Sequence, residues 1–333
     1  MKNYFWIIFL FCNQSTAEPT LVPCCTNPSH RVPPSGMKLN YHPIIGIISH
    51  PGDGASGRLN NSTKASYIAA SYVKFVESGG ARVIPLIYNE PPEILNKKLN
   101  LVNGVLFPGG SIKRGHFFEV VESIFKNVVK KNDGGDHFPL LAVCLGFELL
   151  AMIVSKDKNI LEEFSAIDYP STLMFPRNIN LNGTAFERFP PYLLQKMAKE
   201  NIVMEHHQYG ISPEKFHKNK NLSNFFKIVT TSTCKNRKIY VSTVQARKYP
   251  VTGFQWHPEK NAYEWGLPGI PHSESAIQVT QNAANFFVRE SRKSSNRPSN
   301  GEVLDKLIYN YKPTYCGKAG RGFESFDQVY IFS

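Results

Sequence analysis

Short apolar runs alternate with amphipathic stretches along the first half of the chain. Pro43-Ile44-Ile45-Gly46-Ile47-Ile48 is brief, β-branched and bounded by turn residues, which predicts a buried strand. Gly52-Asp53-Gly54-Ala55-Ser56-Gly57 predicts the loop that follows. Residues 65–78 place Ile68, Tyr72, Phe75 and Val76 on one side of a helix, and Gly79-Gly80 ends it. Arg82-Val83-Ile84-Pro85-Leu86 is the next strand, so the order implies a right-handed parallel crossover. The alternation continues with a strand at residues 104–107 that runs into Pro108-Gly109-Gly110, and a helix at 117–130. A strand at 139–143 then runs into Cys144, with a helix at 145–154. Repeated units of this kind predict an α/β fold, a three-layer α/β/α sandwich around a mostly parallel sheet.

The second half is less regular. Residues 226–230, 239–243 and 251–255 predict hairpin-type strands, an antiparallel extension of the sheet, and residues 276–289 a closing helix. We expect one main domain over residues 40–293 and a tail over 294–333 whose Tyr309, Tyr311, Tyr315 and Tyr330 hold it against the domain. There is no internal repeat.

Composition narrows the function classes only modestly. Hydrophobic content of 42% and charged content of 19% are those of a globular protein. The net charge of +12 is spread along the chain without the clustering that nucleic-acid binding needs, so no nucleic-acid partner is expected. At the N-terminus, Lys2, the apolar run from Phe5 to Phe11 and the small residues Ser15-Thr16-Ala17 have the layout of a signal peptide cleaved near Ala17. The run is too short to span a bilayer, and no membrane partner is expected. Residues 18–39, rich in Pro, Ser and Cys, read as a leader. Sequons at Asn60, Asn61, Asn182 and Asn221 agree with a secretory route ending in the vacuole or the extracellular space and cell wall. Loss of Cys12 with the signal leaves Cys24, Cys25, Cys144, Cys234 and Cys316, an odd number, so at least one thiol stays unpaired. Position alone suggests a clip between Cys24 or Cys25 and Cys316.

Two segments carry chemistry. In Leu140-Leu141-Ala142-Val143-Cys144-Leu145-Gly146-Phe147-Glu148 an apolar strand meets a helix at a cysteine. That layout sets a nucleophile on a sharp turn, with Gly146 allowing close packing and helix-start N–H groups ready for an oxyanion. The helix dipole there favours a thiolate. A buried structural cysteine is the bland alternative. In Gly253-Phe254-Gln255-Trp256-His257-Pro258-Glu259, Pro258 stops a strand beside His257, and Glu259 is placed to orient the imidazole. His206-His207 offers too few convergent groups for a metal, and Arg58 reads as a surface loop residue or a substrate-carboxylate contact.

Together the two segments resemble the class I glutamine amidotransferase-like superfamily, with its Gly-x-Cys-x-Gly and Gly-x-Gln-x-His-Pro-Glu motifs. Within it, Tyr67-Ile68-Ala69-Ala70-Ser71-Tyr72-Val73-Lys74-Phe75, Cys144-Leu145-Gly146-Phe147-Glu148 and Gln255-Trp256-His257-Pro258-Glu259-Lys260 with Tyr263-Glu264-Trp265 are similar to plant-type γ-glutamyl hydrolases. The resemblance covers nearly all of residues 40–333 and implies a flavodoxin-like fold, cleavage of γ-glutamyl amides of folate poly-γ-glutamates, no cofactor and a homodimer. It makes Cys144 the nucleophile, His257 the general base and acid and Glu259 the third member. Gly109, Gly110 and Leu145 become oxyanion donors, and Glu148 and His207 substrate contacts. Amidotransferases usually carry Gly at the position of Ala142 and Gln at that of Glu148, which fits a leaving group other than ammonia. Gln208 stands where the family has Arg or Lys, so a charge role beside His207 is in doubt. A glutaminase-type amidotransferase subunit and a non-catalytic γ-glutamyl binding protein are the alternatives.

Overall fold

The computed structural model describes residues 38–54, 64–316 and 326–333. The expected signal peptide, Cys24, Cys25, Arg58 and the sequons at Asn60 and Asn61 lie outside the described residues, as does nearly all of the leader. Over residues 38–333 the chain opens with β1 (Ile44–Ile48) and β2 (His50–Pro51), then β3 (Ser66–Ala69) runs into α1 (Ala70–Ser78). Next come β4 (Arg82–Leu86), α2 (Pro92–Leu99), β5 (Val105–Phe107), α3 (His116–Asp133), β6 (Leu140–Val143) and α4 (Leu145–Ser155). The second half holds β7 (Glu162–Ser171), α5 (Pro191–Lys199), β8 (Val203–Gly210), α6 (Pro213–Lys218), α7 (Lys220–Phe225), β9 (Phe226–Thr233), β10 (Ile239–Ala246) and β11 (Val251–Phe254). It closes with α8 (Lys260–Tyr263), α9 (Glu274–Ser291), α10 (Asn300–Leu304), β12 (Pro313–Tyr315) and β13 (Gln328–Phe332).

The central sheet runs β4-β1-β5-β6-β11-β10-β9. Pairing is parallel from β4 to β11 and antiparallel from β11 through β10 to β9. Both faces of the parallel part are covered, which is why β1 is apolar at nearly every position. Ile45 and Ile47 pack with Phe75 and Val76 of α1 and Val279, Ala283 and Phe287 of α9. Ile44 and Ile48 join the opposite core, with Leu95 of α2, Val121 and Ile124 of α3 and Leu150 of α4. These are the expected three layers with the expected antiparallel extension.

One predicted helix is corrected. Residues 66–69 form strand, not the first turn of α1, because β3 is sandwiched in a second sheet, β12-β13-β3-β2. Val329 to Phe332 of β13 run antiparallel to Ala69 to Ser66, and β2 pairs on the other side. Distant partners therefore override the local helical spacing. A separate ribbon of β7 and β8 brings residues 203–210 over the carboxyl end of the central sheet, where the backbone N–H of His257 donates to the Met204 carbonyl at 2.8 Å.

Candidate active site

Cys144 stands between β6 and α4 with φ 50° and ψ −108°, a strained conformation for a residue with a Cβ. Its own hydrogen bonds hold it there: the Cys144 N–H donates to the Phe254 carbonyl at 2.7 Å, and its carbonyl accepts from the Glu148 N–H at 3.0 Å. Gly146 makes the turn possible, since a Cβ at that position would overlap the Phe107 carbonyl of the neighbouring strand. The thiol is 4% exposed and donates to the His206 carbonyl at 3.7 Å. Burial pushes the Cys144 thiol well up, and the Glu148 carboxylate adds to this, while Lys113 and the Leu145 N–H act the other way. The thiolate expected from the helix dipole is thus opposed by burial, and the resting group is a thiol.

His257 approaches from the end of β11. Its Nδ1 is 2.7 Å from Glu259 Oε1, so Nδ1–H donates to the carboxylate and Nε2 keeps its lone pair. That Nε2 is buried and has no hydrogen-bond partner. Burial alone would push Glu259 up, but the His257 ring and Lys260 hold its carboxyl below the usual range. Gly109 fixes the spacing of the two groups. A Cβ on it would come 2.9 Å from His257 Cε1 and 3.5 Å from Cys144 Cβ, so both side chains border the same point.

The oxyanion loop differs from expectation in one respect. The Gly109 N–H donates to the Tyr72 hydroxyl at 2.8 Å and is thereby occupied. Gly110 N–H, which donates to no group among the described residues, and Leu145 N–H at the start of α4 are the donors left for an oxyanion. Two residues that sequence reasoning passed over hold this loop. Tyr72 sits on α1 and lies 3.4 Å from His257 Nδ1, joining the loop to the imidazole. His50 is buried in β2 with Nδ1 2.7 Å from the Pro51 carbonyl, and its Nε2 accepts from the Ser111 and Ile112 N–H groups at 3.1 and 3.2 Å. Burial lowers the His50 pKa to about 4, which matches a neutral ring accepting at Nε2. Only the polarity of Tyr and His on otherwise apolar faces could have flagged them.

Glu148 is 3% exposed; Lys113 Nζ lies 3.0 Å from its Oε2, and Gln255 Nε2 donates to Oε1 at 3.3 Å. His207 lines the same cavity; its Nδ1 is 2.8 Å from the Tyr209 carbonyl, while its buried Nε2 lies 3.2 Å from Glu205 Oε2 without making a hydrogen bond. The cavity has a volume of about 240 Å³, and Gly109, Gly110, Cys144, Glu148, His207 and His257 all border it. Leu145 does not border it with its side chain, which is buried beneath the turn in the core under α4. Among the described residues no group of three or more His, Cys, Asp or Glu could hold a metal, and no helix is long and apolar enough to cross a membrane.

Comparison with known proteins agrees with this geometry. Residues 43–259 match the family described as Peptidase C26. "Gamma-glutamyl hydrolase 2" of Arabidopsis thaliana is 61% identical over 97% of this chain and 90% of its own length. "Gamma-glutamyl hydrolase 1" of the same plant is 57% identical over 97% of this chain and 90% of its own length. "Gamma-glutamyl hydrolase" of Glycine max is 56% identical over 88% and 85%. With a match reaching from β1 to the residue that orients His257, the chain belongs to the Peptidase C26 family.

Proposed function

We propose that this protein is a cysteine-dependent γ-glutamyl hydrolase acting on the poly-γ-glutamate tail of folates. The observation that carries the reading is the pair of groups bordering Gly109 and the same cavity: a cysteine on a strained turn and an imidazole whose buried Nε2 has no hydrogen-bond partner. His257 Nε2 takes the Cys144 proton, and the ring's positive charge is matched by Glu259. The sulfur attacks the γ-carbonyl, and the Gly110 and Leu145 N–H groups receive the developing oxyanion. His257 returns the proton to the departing amine, leaving a γ-glutamyl thioester. A water molecule, losing a proton to the same Nε2, then hydrolyses the thioester to the free acid and the thiol. Every proton in the cycle passes through one nitrogen.

A polyanionic tail has a cationic path to follow. Lys113 borders both the active-site cavity and a neighbouring groove of about 350 Å³ that carries Arg114 and Lys158. Residues 1–17 would deliver the protein to the secretory route, with the vacuole or the cell exterior as destination, residues 18–39 would be a leader ahead of the 40–293 catalytic domain and its 294–333 tail, and we expect a homodimer. Purified Cys144→Ala should lose at least about a thousandfold in kcat/KM on a folate pentaglutamate. Activity within tenfold of the wild type would defeat the assignment.

A further inference from the structure

The active-site cavity holds two lysines, and among the described residues only one of them makes an ion pair at bonding distance. Lys113 is paired with Glu148 at 3.0 Å. Lys260 is 4% exposed, borders the cavity, and lies over the Phe326 ring at 5.0 Å from its centroid. Among the described residues no hydrogen-bond acceptor or carboxylate oxygen lies within bonding distance of its Nζ. A buried ammonium that makes no direct ion pair is costly, and its retention beside a cavity points to an anion that arrives from outside. Every γ-glutamyl unit carries such an anion, an α-carboxylate set apart from the scissile carbonyl by the side-chain methylenes.

We propose that Lys260 binds the α-carboxylate of the glutamate whose γ-carbonyl Cys144 attacks, and so selects γ-linked over other amide donors. The inference rests on the hydrolase reading above. The two carboxylates closest to Lys260 in the chain do not satisfy it. Glu259 is committed to His257 at 2.7 Å, and Glu264 accepts from the Asp327 N–H at 2.8 Å. Lys260 pulls both carboxyls down through space, yet burial still raises the Glu264 pKa to about 7, and neither carboxylate makes an ion pair with the ammonium. The Phe326 ring lies against the ammonium itself, and the exclusion of water there strengthens a charge-assisted contact with a bound carboxylate.

The test uses the full chain and two substrates: folate diglutamate, and its analogue in which the α-carboxylate of the acyl-donor glutamate is a carboxamide. The wild type should prefer the carboxylate by about 30-fold or more in kcat/KM. Lys260→Met keeps the packing over Phe326 and removes the charge; it should lose about the same factor on the carboxylate, mostly in KM, and stay within about twofold on the carboxamide. Lys260→Arg should retain the preference. Equal turnover of both substrates by the wild type would overturn the proposal, as would an equal loss on both in Lys260→Met, which is the signature of a merely structural lysine. Should Lys260→Met fail to fold, the wild type and Lys260→Arg decide the matter alone. A wild type that cleaves neither substrate defeats the hydrolase reading itself, a result distinct from cleavage without preference.

Discussion

Tyr72 joins two parts of the site that lie far apart in the chain, the loop at Gly109 and the imidazole of His257. Its hydroxyl accepts from Gly109 N–H and sits by His257 Nδ1, so it sets the loop's height relative to the imidazole. Tyr72→Phe should lower kcat about tenfold with little change in KM, because one buried N–H loses its acceptor and the loop shifts. Steady-state kinetics showing kcat unchanged would refute this positioning role. His50 and Glu264 give a second residue-scale prediction, in stability. His50 has a folded pKa of about 4, below its unfolded 6.5, so its contribution is present above pH 6.5 and is lost, by about 3 kcal/mol, as pH falls through 4. Glu264 has a folded pKa of about 7, above its unfolded 4.5, so its contribution is full below pH 4.5 and is lost as pH rises through 7. The two oppose each other between pH 4.5 and 6.5. Denaturant titrations across that window should therefore show His50→Gln resisting acid better than the wild type, relative to pH 7, and Glu264→Gln resisting it less. Parallel profiles for the two variants would disprove the assignment. Cys144 and His257 were legible because each ends a strand inside a recognisable string. Tyr72 and His50 were not, because a polar tip on a buried ring leaves helical or strand periodicity unchanged.

At the scale of elements, the strand-to-helix turn at Cys144 depends on the gap above Phe107. Gly146→Ala should destabilise the protein by about 3 kcal/mol and remove activity together with it, since the added methyl meets a backbone carbonyl that the parallel sheet cannot move. A soluble variant with normal thermal stability would count against this. The alternation of apolar runs in the first half exposed β1, β4, β5 and β6 in advance, because parallel strands buried on both faces lack polar interruptions. Segments whose structure comes from distant pairing were hidden. β3 has helical spacing yet is strand because β13 lies beside it, and the β7–β8 ribbon carries polar residues on both faces. α2 went unpredicted, although Pro92 at its first turn and Lys97 and Lys98 at its end are helix signals.

Across the whole molecule, the +12 charge has a local expression in the groove of Lys113, Arg114 and Lys158. A diffuse charge would speed capture of any anion, whereas a groove should favour a long one. Arg114→Glu with Lys158→Glu should raise KM for a folate pentaglutamate by about tenfold, leave the diglutamate within about twofold, and flatten the salt dependence of the former. Equal effects on both tail lengths would show that the groove takes no part.

The strand pairing of β13 with β3 also orders events in time. β3 leads directly into α1 and Tyr72, and Phe326, which covers Lys260, lies just ahead of β13. A nascent polypeptide therefore displays its cysteine and histidine well before translation reaches Phe326, the last of the residues that border the cavity. Ribosome-bound intermediates would carry the reacting atoms in an open, unfinished cleft, and the enzyme would acquire its selectivity only once residues 326–332 had folded back.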